Sequence, residues 1–161
     1  MNETQEPSTN GLQAFETLSQ FLEQDGWYPQ QLEGTHIFRM GYAGTNGQCV
    51  CYAQIAVEAE QFMFYVVGPV KTPEDARLRV AEFVARANYG LRIGNFELDF
   101  NDGEVRYKSS IDFEEATLTP ALIRNAMYPA VQTMDHYLAG LMAVTYGGKT
   151  PAEAISEIEG K

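Results

Sequence analysis

The sequence is poor in the residues that form disulfides and metal sites. Among 161 residues there are two cysteines and two histidines. Cys49 and Cys51 lie two positions apart in a strand-like segment, a spacing that does not suit a disulfide, and two ligands do not make a zinc site. His36 and His136 are each isolated, with no motif around either. We therefore expect no metal and no cofactor, and we interpret both cysteines as buried strand residues.

Basic residues and long apolar runs are also scarce. Eleven lysines and arginines stand against twenty-two acidic residues, which gives a formal net charge of −11. Such a chain repels phosphate backbones and anionic membrane surfaces, so we expect neither nucleic acid nor membrane as a partner. No apolar run approaches the ~20 residues that span a bilayer, and the start of the chain lacks the features of a signal peptide. The sequence predicts a cytoplasmic protein.

Length and composition indicate one folded unit. Apolar residues make up 45% of the chain and aromatic residues 12%, which is enough for a substantial core. Residues 1–9 are polar, and we predict that they are flexible. Residues 10–161 are predicted to form a single domain, because no linker or internal repeat interrupts them.

Four helix starts carry a side chain that can cap the helix. The first helix is predicted to begin with Asn10 as its N-cap and to end near Asp25. A threonine cap followed by a proline marks the other starts, at Thr72, Thr119 and Thr150. The helix after Thr72 should end at Gly90, the helix after Thr119 at Tyr146, and the last helix is short and acidic. Pro129 lies inside the long helix, so we predict a kink or two abutting helices there.

Alternating apolar residues predict the strands. Three strands are expected near Thr35–Tyr42, Cys49–Val57 and Phe62–Val67, and short turns between them make them antiparallel. The order of elements is then α-β-β-β-α-β-β-α. Since strands and helices are segregated, the sequence predicts an α+β fold with an antiparallel sheet of about five strands, covered by helices largely on one face.

The last two strands are predicted to form a hairpin with a two-residue turn at Asp102-Gly103. The register that follows pairs Phe100 with Val105, Leu98 with Tyr107, Asp99 with Arg106 and Glu97 with Lys108. Because apolar residues then share one face and opposite charges pair on the other, pattern and charge agree on this register.

Catalytic motifs are not evident. Gly148-Lys149-Thr150 resembles the end of a phosphate-binding loop, but the glycine required five residues earlier is replaced by Ala143, and the segment follows a helix instead of a strand. Asp135 and His136 are adjacent on a helix, so their side chains point about 100 degrees apart and do not form a dyad. We predict that the chain is not an enzyme and has no catalytic residue.

Three segments resemble a known family. They read Ala-Asn-Tyr-Gly-Leu-Arg-Ile-Gly-Asn-Phe-Glu-Leu-Asp at 87–99, Asp-Gly-Glu-Val-Arg-Tyr-Lys at 102–108 and Tyr-Leu-Ala-Gly-Leu-Met-Ala-Val-Thr-Tyr-Gly-Gly-Lys-Thr-Pro-Ala-Glu-Ala at 137–154. The chain thereby resembles the YbjN family of bacterial proteins, described as sensory transduction regulators, over about Ala81–Ile155, and in topology over Leu12–Val70. That family is similar in fold to type III secretion chaperones, which commonly dimerise and bind unfolded segments of client proteins. The resemblance implies a binding or regulatory role and supplies no catalytic residue. Pro129 departs from the family's continuous long helix.

The first functional hypothesis is therefore a regulatory or chaperone-like homodimer that binds another protein. The strand 62–67 is apolar on both faces and the long helix has two apolar sides, so each offers a surface to a partner. The candidate apolar surface consists of Phe62, Phe64, Val66, Tyr137 and Val144. A candidate basic patch for an acidic partner consists of Arg77, Arg79 and Arg86.

The alternative hypothesis is a small-molecule sensor. Four aromatic residues could line a pocket between sheet and helix. They are Trp27, Tyr42, Tyr52 and Tyr65.

Overall fold

The computed structural model describes residues 6–161, which contain four helices and six strands. The helices are α1 (Thr9–Gln24), α2 (Arg77–Asn88), α3 (Pro120–Tyr146) and α4 (Pro151–Glu159). The strands are β1 (Gln30–Gln31), β2 (Ile37–Ala43), β3 (Gln48–Ala56), β4 (Gln61–Val67), β5 (Asn95–Leu98) and β6 (Val105–Asp112). No helix in this range is long and apolar enough to cross a membrane.

All six strands form one antiparallel sheet in the order β1-β2-β3-β4-β6-β5. The predicted α+β class, with an antiparallel sheet and helices, is confirmed. The strand count differs by one because β1 has only two residues. A strand this short shows no alternation that a sequence pattern could reveal.

The helices cover one face of the sheet, and the core lies between them. Strict alternation along β3 and β4 sends every second side chain into this core. The core side of the sheet includes Phe38, Met40, Cys51, Ala53, Ile55, Phe62, Phe64, Val66, Phe96, Val105 and Tyr107. The other side chains of these strands lie on a face that no helix of the described range covers, which we call the open face.

Helix α1 begins two residues earlier than predicted. Ser8 is the N-cap and accepts a hydrogen bond from the Gly11 N–H at 3.0 Å. The predicted cap, Asn10, instead donates to the Glu60 carboxylate at 3.0 Å and to the Ala116 carbonyl at 2.9 Å. Of the segment 1–9 predicted to be flexible, residues 1–5 lie outside the described range, while Ser8 and Thr9 belong to the start of α1.

Helix α2 begins later than predicted, at Arg77, after a short 3-10 turn at Glu74–Ala76. Thr72 does not cap it. Its side chain is buried and its N–H donates to the Gly103 carbonyl at 2.7 Å, so this threonine joins the segment before α2 to the β5–β6 turn. A long-range backbone contact here takes precedence over the local cap signal.

The hairpin formed by β5 and β6 differs from the predicted register by two residues. Leu98 pairs with Val105 and Phe96 with Tyr107. Gly103 is the one residue of the turn with a positive φ, +82°, whereas the predicted two-residue turn needs two. The turn is longer, with the Asp99 N–H donating to the Glu104 carbonyl at 2.9 Å. Because the shift is even, each side chain keeps its predicted face, and only Phe100 becomes exposed in the turn, at 52%.

Helix α3 is one continuous helix with Pro129 inside it, so the predicted alternative of two abutting helices is wrong. Its predicted cap is confirmed, since the Thr119 hydroxyl accepts from the Leu122 N–H at 3.2 Å. The predicted cap of α4 is also confirmed and is part of a capping box: Thr150 accepts from the Glu153 N–H at 3.2 Å, and Glu153 accepts in return from the Thr150 N–H at 3.1 Å.

Candidate functional site

The five apolar residues predicted to form a partner surface are core residues, so this prediction is wrong. Phe62, Phe64, Val66 and Val144 have no exposed area, and Tyr137 is 7% exposed. The parity of β4 sends the two phenylalanines toward the helices, and the second apolar side of α3 is covered by α2 and α4 of the same chain. A strand that is apolar on both faces does not reveal which face is buried, because that depends on where the helices pack.

Each of the three arginines predicted to form a basic patch has a hydrogen-bond partner within the chain. Arg79 donates to the carbonyls of Val144 and Thr145, at 3.0 and 3.1 Å, and so satisfies the last turn of α3. Arg77 donates to the Phe100 carbonyl at 2.9 Å, and Arg86 pairs with Glu82, one turn earlier on the same helix. Arg77 and Arg79 thus connect α2 to other parts of the chain, whereas Arg86 pairs within α2.

The predicted aromatic pocket is also wrong, because its members lie on opposite faces of the sheet. Trp27 packs on the helix-covered side, with its ring 6.2 Å from Tyr42 and 6.1 Å from Tyr128. Tyr52 and Tyr65 project from the open face and pair across β3 and β4. Since successive strand residues alternate between faces, these four rings cannot line one cavity.

The residues considered for catalysis have structural contacts. The Asp135 carboxylate accepts from the N–H groups of Thr45 and Asn46, at 3.1 and 2.8 Å, and so fixes the β2–β3 turn to α3. His136 is exposed, and its ring lies edge-on to Tyr137 at 5.5 Å. Lys149 pairs with Glu157 between the ends of α3 and α4.

Both cysteines are free and buried. Burial, followed by the neighbouring Asp135 charge, raises the pKa of the Cys49 thiol to about 11. Burial and the adjacent Cys49 raise the pKa of Cys51 to about 12. Both thiols are therefore protonated and unreactive near neutral pH. Within residues 6–161, no group of three or more His, Cys, Asp or Glu side chains is placed to hold a metal ion.

The open face is the surface of the sheet that the helices of the described range leave uncovered. Its centre consists of half-exposed apolar and aromatic side chains on β3 and β4, namely Val50, Tyr52, Met63, Tyr65 and Val67. Cross-strand pairing aligns them in rows: Gly41, Val50 and Val67 lie side by side, as do Arg39, Tyr52 and Tyr65. A face with this much partly exposed apolar surface at its centre is suited to covering by another molecule.

Charged side chains border these apolar rows. On one side, the Glu97 carboxylate accepts from Arg106 at 2.9 Å and from Lys108 at 3.2 Å. Burial alone would raise the pKa of Glu97, but these two charged hydrogen bonds outweigh it and hold the pKa below its ordinary value. The Arg106 guanidinium also lies over the Tyr65 ring, 4.4 Å from its centre. On the other side, Arg39 is exposed and takes part in none of the ion pairs within residues 6–161.

A groove of about 590 Å³ lies at one end of this face. Gly41 has open space where a side chain would be, which leaves room between Arg39 and Val50. The outer edge of β2 is also free beside the groove, because β1 pairs only with Phe38 and Arg39. By contrast, the edge of β5 is closed, since the Asn88 side chain bonds both the N–H and the carbonyl of Phe96, at 2.7 and 3.0 Å.

The open face could have been found partly from the sequence. The alternation of β4 identifies Met63, Tyr65 and Val67 as one face, and the same alternation places Arg106 and Lys108 together on β6. The pairing of β4 with β6, which brings these two groups of residues side by side, carries no local signal, whereas the short turn between β2 and β3 predicts the pairing that places Arg39 beside β3.

The chain is similar to known proteins in sequence and in fold. A family model named YbjN, described as "Putative bacterial sensory transduction regulator", matches residues 14–141. A solved structure of YbjN from E. coli, described as "a putative transcription regulator", has a TM-score of 0.62 at 12% identity and covers 80% of this chain and 89% of that chain. A chain of the ExsC-ExsE complex has a TM-score of 0.56 at 13% identity and covers 80% of this chain and 93% of that chain.

A search of the curated proteins found no significant match. At 12% and 13% identity, the two structural similarities show the fold alone. They confirm the predicted chaperone-like α+β fold.

Proposed function

Because this chain belongs to the YbjN family, as residues 14–141 show, we propose that it is a non-enzymatic, chaperone-like regulatory protein that binds another polypeptide. It works in the cytoplasm as a homodimer. The observation that carries the proposal is the open face, whose centre of Tyr52, Tyr65, Met63 and the adjoining valines is half-exposed.

The geometry of this face supports a polypeptide ligand. Rows of apolar and aromatic side chains on a rigid sheet offer contact area at a low cost in conformational entropy. The adjoining groove and the free edge of β2 at Gly41–Ala43 extend the surface beyond the size of a small molecule. An extended polypeptide segment can pack its side chains on these rows and can form backbone hydrogen bonds with a free strand edge.

Two further observations support the proposal. A structure with the same fold contains ExsC in complex with ExsE, so this architecture is found in a protein–protein complex. The residues considered for catalysis, Asp135 and Lys149 among them, are used in a turn contact and an ion pair, which favours a role without chemistry.

Site-specific photo-crosslinking in cells tests the binding role. A photoreactive benzoyl-phenylalanine replaces Tyr52 on the open face or, as a control, Leu78, which is 81% exposed on α2. We expect discrete adducts with other polypeptides from position 52 and none from position 78. Equal adducts from both positions, or none from position 52, would contradict polypeptide binding at the open face.

Light scattering on the purified chain tests the homodimer separately. We expect the mass of two chains at micromolar concentration. The mass of one chain would remove the dimer from the proposal and leave the crosslinking result to decide the binding role.

A further inference from the structure

The open face is basic in a chain that is strongly acidic overall. Its strands carry three cations, Arg39, Arg106 and Lys108, and two carboxylates, Glu97 and Asp112. Glu97 is shared between two of the cations, and Asp112 lies six residues along β6 from Arg106, about 20 Å away. The central part of the face therefore has an excess of positive charge, although the whole chain has a net charge of −11.

From this charge pattern we propose that the open face binds an acidic polypeptide segment with two carboxylates four residues apart and an apolar residue midway between them. This inference rests on the proposed polypeptide-binding function and names the chemistry of the partner. The carboxylates lie against Arg39 at one side and Lys108 at the other, and the apolar residue lies on the tyrosine pair between them.

The spacing follows from the register of the sheet. Arg39 pairs with Tyr52, Tyr52 with Tyr65 and Tyr65 with Lys108, so the four side chains form one row across β2, β3, β4 and β6. Three strand spacings separate the two cations, which is about 14 Å. An extended chain advances about 13 Å in four residues and returns to the same side at every second residue. Residues i, i+2 and i+4 of the segment can then face Arg39, the tyrosines and Lys108.

A second copy of the chain fits this face less well. If two open faces paired about a two-fold axis through the tyrosine pair, Arg39 of one copy would lie near Lys108 of the other, and like charges at short distance repel. A heterologous acidic segment avoids this repulsion. The homodimer then requires a different surface.

A nucleic acid also fits less well than an acidic peptide. A phosphate backbone that follows the row extends past Arg39 and Lys108, where the next residues across the sheet are the uncharged Gln30 and Asn95. A segment of five residues ends at the two cations. The positive area is large enough for two charges and too small for a continuous phosphate chain.

Binding of labelled synthetic peptides to the full chain, followed by fluorescence anisotropy, tests the inference. The first probe contains Glu-Ser-Leu-Ser-Glu between neutral flanks. The second has the same composition in the order Glu-Glu-Leu-Ser-Ser, and the third has lysine in place of both glutamates. We expect the first peptide to bind about two- to fivefold more tightly than the second, the third to bind most weakly, and salt to reduce the difference.

Three variants with opposite expected effects separate binding from folding. Arg39→Gln should weaken binding of the first peptide about two- to fivefold. Arg124→Gln, which removes the same charge from an exposed site on α3, should leave the affinity for this peptide unchanged. Glu97→Gln should tighten binding of the first peptide, because Arg106 and Lys108 no longer pair with a carboxylate of their own chain. A tighter complex cannot result from damage to the fold.

Equal binding of the first two peptides, or no binding of the first, would overturn the inference. Tighter binding of an oligouridylate than of the first peptide would overturn it in favour of nucleic acid, and crosslinks between two copies from position 52 would overturn it in favour of self-association. The proposed function can survive a negative peptide result, because adducts between position 52 and other polypeptides would still show binding by a segment of different chemistry.

Discussion

Gly11 is a residue where the chain has no space for a side chain. A Cβ built at this buried position of α1 would lie 2.1 Å from the Val57 carbonyl oxygen, which is a rigid backbone atom. The start of α1 therefore packs directly on the end of β3, and the close approach is possible because glycine has no side chain.

We expect Gly11→Ala to lower the free energy of unfolding by about 1–3 kcal/mol, because α1 must move away from Val57. Urea denaturation measures the change. Gly41→Ala is the matched control, since a Cβ there has open space. If both variants had the stability of the wild type, the close packing of α1 on β3 would be contradicted.

Single polar residues also connect distant parts of the chain. Asp135 holds the β2–β3 turn, Glu60 holds the start of α1, and Arg79 holds the end of α3. The residue types were visible in the sequence, but their partners lie about 50 to 90 positions away. For this reason the local pattern marks Asn10 and Thr72 as helix caps, whereas their hydrogen bonds go to other elements.

At the level of elements, α3 contains an unfavourable residue in its interior. Pro129 lacks the N–H that would bond the Asn125 carbonyl, yet the helix continues on both sides of it. Packing against the sheet, α2 and α4 maintains the helix, since α3 carries twelve buried residues. Tertiary contacts thus override a strong local signal for a break.

We expect Pro129→Ala to raise the free energy of unfolding by about 1–2 kcal/mol. The restored hydrogen bond and the relieved clash stabilise the folded state by about 3 kcal/mol. The greater conformational entropy of the unfolded variant offsets about 1 kcal/mol of this gain. Pro120→Ala is the control, because a proline at the first turn of α3 costs no hydrogen bond. A loss of stability in Pro129→Ala, measured in urea, would show that the proline ring makes a packing contact worth more than the hydrogen bond.

In the β5–β6 hairpin, the local sequence pattern predicts the buried face correctly but not the turn. Alternation predicted the correct face for Phe96, Val105 and Tyr107, because any even shift preserves it. The predicted two-residue turn is wrong, because Asp102-Gly103 is compatible with several turn types. The hydrogen bond from the Thr72 N–H to the Gly103 carbonyl selects one of them.

For the molecule as a whole, the structure predicts a loss of stability in acid. The pKa values of Glu97, Glu153, Asp102 and Glu60 are all held below their ordinary values by hydrogen bonds. A carboxyl group with a lowered pKa in the folded state contributes stability above its unfolded pKa and loses it as the pH falls through the folded value. We therefore expect the free energy of unfolding to decrease as the pH drops below 4.5, the ordinary pKa of glutamate.

Urea denaturation at a series of pH values measures this dependence. Glu97→Gln should make the decrease shallower, because the variant lacks the carboxylate whose protonation breaks the ion pairs with Arg106 and Lys108. Glu114→Gln, which removes the same charge from an exposed loop, is the control. The same slope in both variants would contradict the role assigned to Glu97.

The whole-molecule arrangement also explains why the apolar surface predicted from the sequence is wrong. The apolar surface proposed from the sequence, with Phe62 and Phe64 at its centre, became the core because the helices pack on that side of the sheet. The opposite side of the same strand, with Met63 and Tyr65, became the open face. A strand that is apolar on both faces leaves this choice to the helices.

Local patterns were enough to establish the α+β class, the antiparallel strands, the limits of α3 and the caps at Thr119 and Thr150, because each depends on residues near one another in the chain. They were also enough to identify the family. Pairing of β4 with β6, the side of the sheet on which the helices pack and the row from Arg39 to Lys108 depended on contacts between distant residues. Those contacts form only when the chain buries its apolar surface as a whole, so the fold class can be predicted from the sequence, whereas the open face is defined only by the packed structure.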